Sequence, residues 1–186
     1  MKDRSQSSSI RTRRSSRSGK LARAAAKWTA ARLREVRMQM KENAVKIRRA
    51  RQSDGPRIAE LSGQLGYPTT ARAMAGRLKL ALRQENGACF VAETSANGVV
   101  GWAHVSVTPL LEVERRAELN GLVVDERVRS RGAGWRLLQA AEAWARQKRC
   151  KGMSVRSNVL RERAHGFYER HGYEHYKTQK AFRKQF

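Results

Sequence analysis

The residues best placed to do chemistry in this 186-residue chain fall in one stretch, LNGLVVDERVRSRGAGWRLLQAAEAWA, residues 119–145. An apolar, β-branched run ends at Val124, a short basic turn follows, and Gly132 and Gly134 open an amphipathic run. A helix start offers unpaired N–H groups and the positive end of the helix dipole. Glycines there let the backbone approach an anion with no Cβ in the way. Arg129, Arg131 and Arg136 add guanidinium groups for charge-assisted bonds. The pattern is that of a cradle for a phosphate or diphosphate. It is not a Walker A loop, because no Gly-Lys-Ser/Thr follows. The dinucleotide fingerprint fits poorly, because Leu137 stands at its third glycine and no β-α-β unit precedes it.

Other reactive side chains carry less. His104 lies in an apolar run, and His165, His171 and His175 lie towards the C-terminus. Only His171 and His175 approach a helical metal spacing, and they straddle Gly172, so no metal site is expected. Cys89, in an apolar run, reads as core, as do Trp102 and Trp144.

Two motifs carry a family resemblance. Val123 to Gly134 reads V-V-x-x-x-x-R-x-x-G-x-G, which resembles the cofactor motif of the GNAT superfamily of N-acetyltransferases. Downstream, SNVLRERAHGFYERHGY resembles that superfamily's second motif through Asn158, Ala164, Phe167, Tyr168, Glu169, Gly172 and Tyr173. The resemblance covers residues 45–186, and it implies an enzyme that moves the acetyl group of acetyl-CoA to a primary amine by direct attack. It implies that the backbone of Leu122, Val123 and Val124 bonds the pantetheine arm, with a bulge at Asn120-Gly121. It also implies that Arg129, Ser130, Arg131, Gly132, Ala133, Gly134, Trp135 and Arg136 hold the pyrophosphate. Asn158 would contact the cofactor arm, and Tyr168 would protonate the departing thiolate.

An amine must lose a proton before it attacks. With a pKa near 10, about one molecule in a thousand is neutral at pH 7. Glu118, six residues before Val124, stands where histone-type members carry a catalytic glutamate, and it is the candidate base. Antibiotic-modifying members often place a carboxylate four residues before, where this chain has Asn120, which weakens an aminoglycoside reading. Glu112, Glu114 and Glu118 could draw a cationic amine, although Arg115 and Arg116 between them also allow local salt bridges.

The elements that must position these residues follow from periodicity. AVKIRRA is strand-like. Asp54 can cap a helix over 55–65 with Pro56 in its first turn, and Thr69 or Thr70 can cap a second to about Gln84. ACFVAET and VVGWAHVSV are strands joined at the hairpin signal Asn97-Gly98, and AELNGLVV is the next. A helix over Gly132–Arg149, a strand GMSVRSN and a helix over Leu160–His171 follow, with YEHYK and TQKAFRKQ as closing strands. The order β-α-α-β-β-β-α-β-α-β-β predicts a mixed α+β or α/β fold, a GNAT-like mixed β-sheet flanked by helices.

Composition sets the frame. There are 40 basic and 16 acidic residues, a net charge of +24 that favours anionic partners. Residues 1–43 read as a basic extension, disordered over 1–19 and weakly helical over 20–40, and residues 44–186 as the N-acetyltransferase domain. The extension is open to three readings: sequence upstream of a start at Met38 or Met40, a transit peptide, or an arm for nucleic acid or ribosomes. The last gives an alternative function, a basic nucleic-acid- or ribosome-associated protein with a GNAT-fold binding module. Cys89 and Cys150 lie outside any C-x-x-C, and no apolar run reaches 18 residues, so a cytoplasmic protein without a membrane span is expected. The acceptor is a small amine, an amino acid, a peptide or protein N-terminus, or a lysine side chain. A homodimer is compatible with the sequence.

Overall fold

The computed structural model describes residues 32–39 and 44–185. The expected disorder over 1–19, and Trp28, lie outside the described residues. A first helix, α1 (residues 32–39), is the described part of the weak helix expected over 20–40, and its Leu33, Val36 and Met38 are exposed among the described residues.

The remaining elements are β1 (Lys46–Arg49), α2 (Gly55–Gln64), α3 (Ala71–Arg83), β2 (Gly87–Thr94), β3 (Gly98–Val107), β4 (Arg116–Val124), α4 (Ala133–Gln147), β5 (Gly152–Val155) and α5 (Glu162–Arg170). The five strands form one sheet in the order β1-β2-β3-β4-β5. Neighbours are antiparallel except β4 and β5, which are parallel and joined through α4. The hairpin falls at Asn97-Gly98, with Thr94 paired to Gly98. Thr70 caps α3, its Oγ1 accepting from the Ala73 N–H at 3.1 Å.

Helices cover both faces. Alternation along β3 sends Ala103, Val105 and Val107 into a core shared with Leu137, Leu138, Ala141 and Trp144 of α4. On the other face Ile58 of α2 and Leu78 of α3 close over Cys89 and Val91, with Trp102 against them. Leu137 and Leu138 are fully buried. Each contributes about 2 kcal/mol by burial, against a few tenths for a terminal charge on the helix dipole. The core face therefore holds α4, and its N-terminus is left available for an anion.

Two expectations are corrected. YEHYK and TQKAFRKQ are not strands: the chain after Gly172 is irregular, and only Tyr173 of this stretch packs against the core. Tyr176 and Phe182 are exposed, so the segment has no apolar face whose burial could offset the entropy of ordering it. Asp54 stands at the N-cap of α2, but its carboxylate does not cap. It takes Nη1 and Nη2 of Arg48 at 2.7 and 2.9 Å and the Arg51 N–H at 2.7 Å, while Arg48 Nε reaches Glu93 at 2.7 Å. Burial works to raise the Asp54 carboxyl, but the hydrogen bonds from Arg48 and Arg51 prevail and hold it below its ordinary value. This cluster pins β1, β2 and the start of α2 together.

Arg48→Met leaves the buried Asp54 carboxylate without its cation. A loss on the order of 3 kcal/mol is expected. That is a fall of roughly 6–12 °C in the midpoint of a circular-dichroism melt. Arg48→Met with Asp54→Leu should recover most of it. A single variant that melts with the parent protein would remove the cluster from the account of stability.

Candidate active site

The site begins with a register shift. β4 pairs with β3 from Val107↔Ala117 to Gly101↔Val124, but His104↔Gly121 is followed by Val105↔Leu119, so Asn120 is an extra residue. This is the bulge expected at Asn120-Gly121. β5 pairs with β4 only from Arg116↔Gly152 to Leu119↔Val155. Beyond the bulge, residues 120–124 of β4 have no strand partner on that side. The two parallel strands part and leave an edge with backbone groups to satisfy. Gly121 is required there, because a Cβ would lie 2.7 Å from Cη2 of Trp102.

The chain then turns sharply into α4. Ser130 and Gly132 both take left-handed backbone, at φ 67 and φ 80. Gly132 is the N-cap of α4, and a Cβ built on it meets no atom within 4 Å. The helix start therefore opens on free space at Gly132, and no side chain caps its N–H groups. Arg129 and Arg136 of this segment are tied back to the protein's own backbone. Arg129 Nε donates to Val124 O at 3.0 Å and its Nη2 to Glu126 at 3.2 Å. Arg136 donates to the Val45 carbonyl. Trp135 stacks on His171, with centroids 3.9 Å apart. Arg163 of α5 reaches Ser130 Oγ at 3.4 Å.

Asp125 holds this loop, and sequence reasoning missed it. Its carboxylate accepts from Arg127 N–H and Nε at 3.1 Å each, from Arg127 Nη2 at 2.8 Å and from Arg57 of α2. Its own N–H donates to Val100 O at 2.8 Å. The hydrogen bonds from Arg127 pull the carboxyl well below the carboxylate range, with Arg57 adding to them and burial opposing. The available signal was an aspartate directly after a strand, where an Asx turn onto the second following N–H is favoured.

α5 forms the wall. Phe167 lies 3.6 Å from the position a Cβ on Gly134 would occupy, which sets α5 against the head of α4. Tyr168 packs on the α4-side core, edge-on to Phe167 and Tyr173. Burial pushes its phenol up to about 12. Among the described residues no group bonds its hydroxyl. Asn158 Oδ1 accepts from Leu160 N–H at 2.9 Å and shapes the turn into α5. Arg161 Nη2 donates to Leu65 O at 2.7 Å and ties that turn to the end of α2.

The opposite face of the fork is polar. Ser106, Glu118 and Ser154 stand side by side on β3, β4 and β5. Arg156 pairs with Glu118 at 2.6 Å, and Asn120 Nδ2 donates to Ser106 Oγ at 2.8 Å. Glu112 and Glu114 are exposed in the loop before β4 and make no ion pair among the described residues. The structure thus gathers Leu122 to Arg136 and Tyr168 round the fork, and places Glu118 on the face away from Tyr168. Among the described residues no group of three His, Cys, Asp or Glu side chains could hold a metal ion, and no helix is long and apolar enough to cross a membrane.

A forked parallel pair beside a glycine-opened helix defines the class of acyl-CoA N-acyltransferase folds. The profile of the Acetyltransferase (GNAT) family matches residues 56–173. The chain belongs to that family and is an N-acetyltransferase. It is 31% identical over 132 residues to the Bacillus subtilis (strain 168) protein called uncharacterized N-acetyltransferase YhfO, across 69% of this chain and 89% of that one. An aminoglycoside N-acetyltransferase, AAC(6')-Iy in complex with CoA, superposes with TM-score 0.69 at 20% identity, covering 77% of this chain and 96% of that one. A GNAT family acetyltransferase of Staphylococcus aureus superposes with TM-score 0.60 at 22% identity, covering 77% and 99%. These two likenesses concern the fold.

Asp125 predicts a pH effect with a definite sign. Its folded carboxyl sits below the unfolded value of about 3.9. The network is therefore fully stabilising above that value and is lost as pH falls through it towards the folded one. In urea unfolding from pH 7 to pH 3, the parent protein should lose stability below about pH 4 more steeply than Asp125→Asn. Parallel acid limbs for the two proteins would refute the assignment.

Proposed function

We propose that this enzyme transfers the acetyl group of acetyl-CoA to a primary amine by direct attack at the fork between β4 and β5. The observation that carries the reading is the coincidence of three features: the unpartnered edge of residues 120–124, the open N-terminus of α4 at Gly132, and the neutral Tyr168 of α5 against the α4-side core. The residues present fit the donor. A strand-like amide arm would find backbone partners along Leu122, Val123 and Val124, and a diphosphate would find the free N–H groups of α4. Ser130, Arg131, Gly132, Ala133 and Gly134 form that cradle. Arg129, Trp135 and Arg136 support it chiefly by fixing its shape, through Val124 O, His171 and Val45 O. Asn158 orders the opposite rim.

Bound acetyl-CoA supplies an acetyl group activated as a thioester. The protein orients that carbonyl beside the bulge, where a backbone N–H near Val123 can stabilise developing negative charge. The amine forms the C–N bond, the C–S bond breaks, and Tyr168 gives its proton to sulfur. Burial keeps the phenol protonated through neutral pH, as the role demands. Glu118, on the face away from Tyr168, offers a negative charge to the acceptor's ammonium, with Arg156 holding the carboxylate in place.

Calorimetric titration with acetyl-CoA tests the cradle. Gly132→Glu directs its side chain into open space, and the left-handed backbone costs about 1–2 kcal/mol, so the fold should survive while binding is lost. Undiminished binding in that variant would refute the cradle. Tyr168→Phe should slow thiol release by about 10²-fold or more with acetyl-CoA affinity retained. An unchanged rate would mean that sulfur is not protonated by this residue.

A further inference from the structure

His104 is the unexplained group of this fold. Ala103 and Val105 point into the α4-side core, so His104 shares the other face with Trp102 and Ser106. Its neighbours across the sheet are Cys89 on β2 and, on β4, Gly121, which has no side chain. Its Nε2 is buried and has no hydrogen-bond partner, and neither does Nε1 of Trp102 beside it. Buried polar atoms are nearly always satisfied, and an orphan at a functional fork calls for a partner that arrives with the substrate. Glu118, the other basic group on this face, is already engaged by Arg156.

Building on the acetyl-transfer reading, we propose that His104 Nε2 accepts the proton that an ammonium acceptor must lose before it attacks, directly or through one water. The neutral amine then attacks, and as the C–N bond forms its second N–H proton is released to water. The C–S electron pair passes to sulfur, which takes the Tyr168 proton. Water then removes the proton from His104 and restores that of Tyr168. The two groups act from opposite faces of the β4 edge, since Tyr168 belongs to the α4-side core. Burial lowers the imidazole's proton affinity and keeps it neutral at pH 7, the form a base requires. The other titratable groups on this face do not compete. The Cys89 thiol is pushed up to about 12 by burial, the Glu118 carboxylate is held by Arg156 as an ionised anchor for the acceptor, and α2 turns Ile58, Leu61 and Ser62 inward.

The test contrasts two nucleophiles with acetyl-CoA as donor. Propylamine must be deprotonated, whereas hydroxylamine is already neutral at pH 7. His104→Gln should lower thiol release with propylamine by about 10²-fold or more and leave hydroxylamine within about twofold, with acetyl-CoA affinity in calorimetry unchanged. An equal fall with both nucleophiles, or none with either, overturns the proposal. Independently, imidazole ¹⁵N NMR on the unsubstituted, ligand-free protein should show Nε2 of His104 without a proton at pH 7, and a protonated Nε2 overturns it even where the variant fails to fold. No thiol release by the unsubstituted protein with either nucleophile would sink the acetyl-transfer reading itself, and this inference with it.

Discussion

A β-strand in the middle of a sheet must satisfy backbone groups on two edges, and β4 does so only along its first half. β3 pairs with it to Val124, while β5 leaves after Leu119. One inserted residue, Asn120, separates the two regimes. The extra residue shifts the alternation of side chains and turns the strand's far half away from β5. Every other element either maintains that opening or uses it. Gly121 admits the Trp102 ring, Asp125 anchors the exit of the strand, and α5 sets Phe167 against the head of α4.

The charge of the chain has less to do with binding than its size suggests. A net charge of +24 invites the view that arginines clasp the anion. In the loop itself the side chains of Arg127, Arg129 and Arg136 are committed to Asp125, to Glu126 and to backbone carbonyls. What they build is a fixed turn whose N–H groups point outward. A preorganised set of dipoles needs no rearrangement when the ligand arrives, whereas a flexible guanidinium surrenders rotamer freedom on binding. The summed charge still draws anions from a distance, an effect that salt screens.

Local chemistry made most of the architecture legible. Asn97-Gly98, Thr70 and the glycines at the head of α4 each encode their own geometry within a few residues, and the elements they bound lie where the patterns put them. The bulge at Asn120-Gly121 was expected from the family resemblance, and its physical reason, the Trp102 ring over Gly121, belongs to the assembled sheet. What escaped reading depends on partners distant in sequence. Asp54 looks like a helix cap until Arg48 and Glu93 are brought beside it across the sheet, and the guanidinium then wins the carboxylate. YEHYK is aromatic-rich as strands are, but such a run becomes a strand only where one of its faces can be buried. Arg57 and Asp125 are 68 residues apart, and no local pattern announces their contact.

The sheet also serves as a partition. A phenol and an imidazole in the same pocket would hydrogen-bond to each other, and each would lose the free atom its task requires. Here Tyr168 approaches the fork from the α4 and α5 side, and His104 stands on the α2 and α3 side. The backbone of β4 lies between them. Neither the Tyr168 hydroxyl nor His104 Nε2 has a partner among the described residues, and both are held neutral by burial rather than by a neighbouring charge. That arrangement follows from the bulge. An uninterrupted β4 would keep β5 paired along its length and close the passage between the two faces. The register shift that opens the edge thus lies between a phenol on one face of β4 and an imidazole on the other.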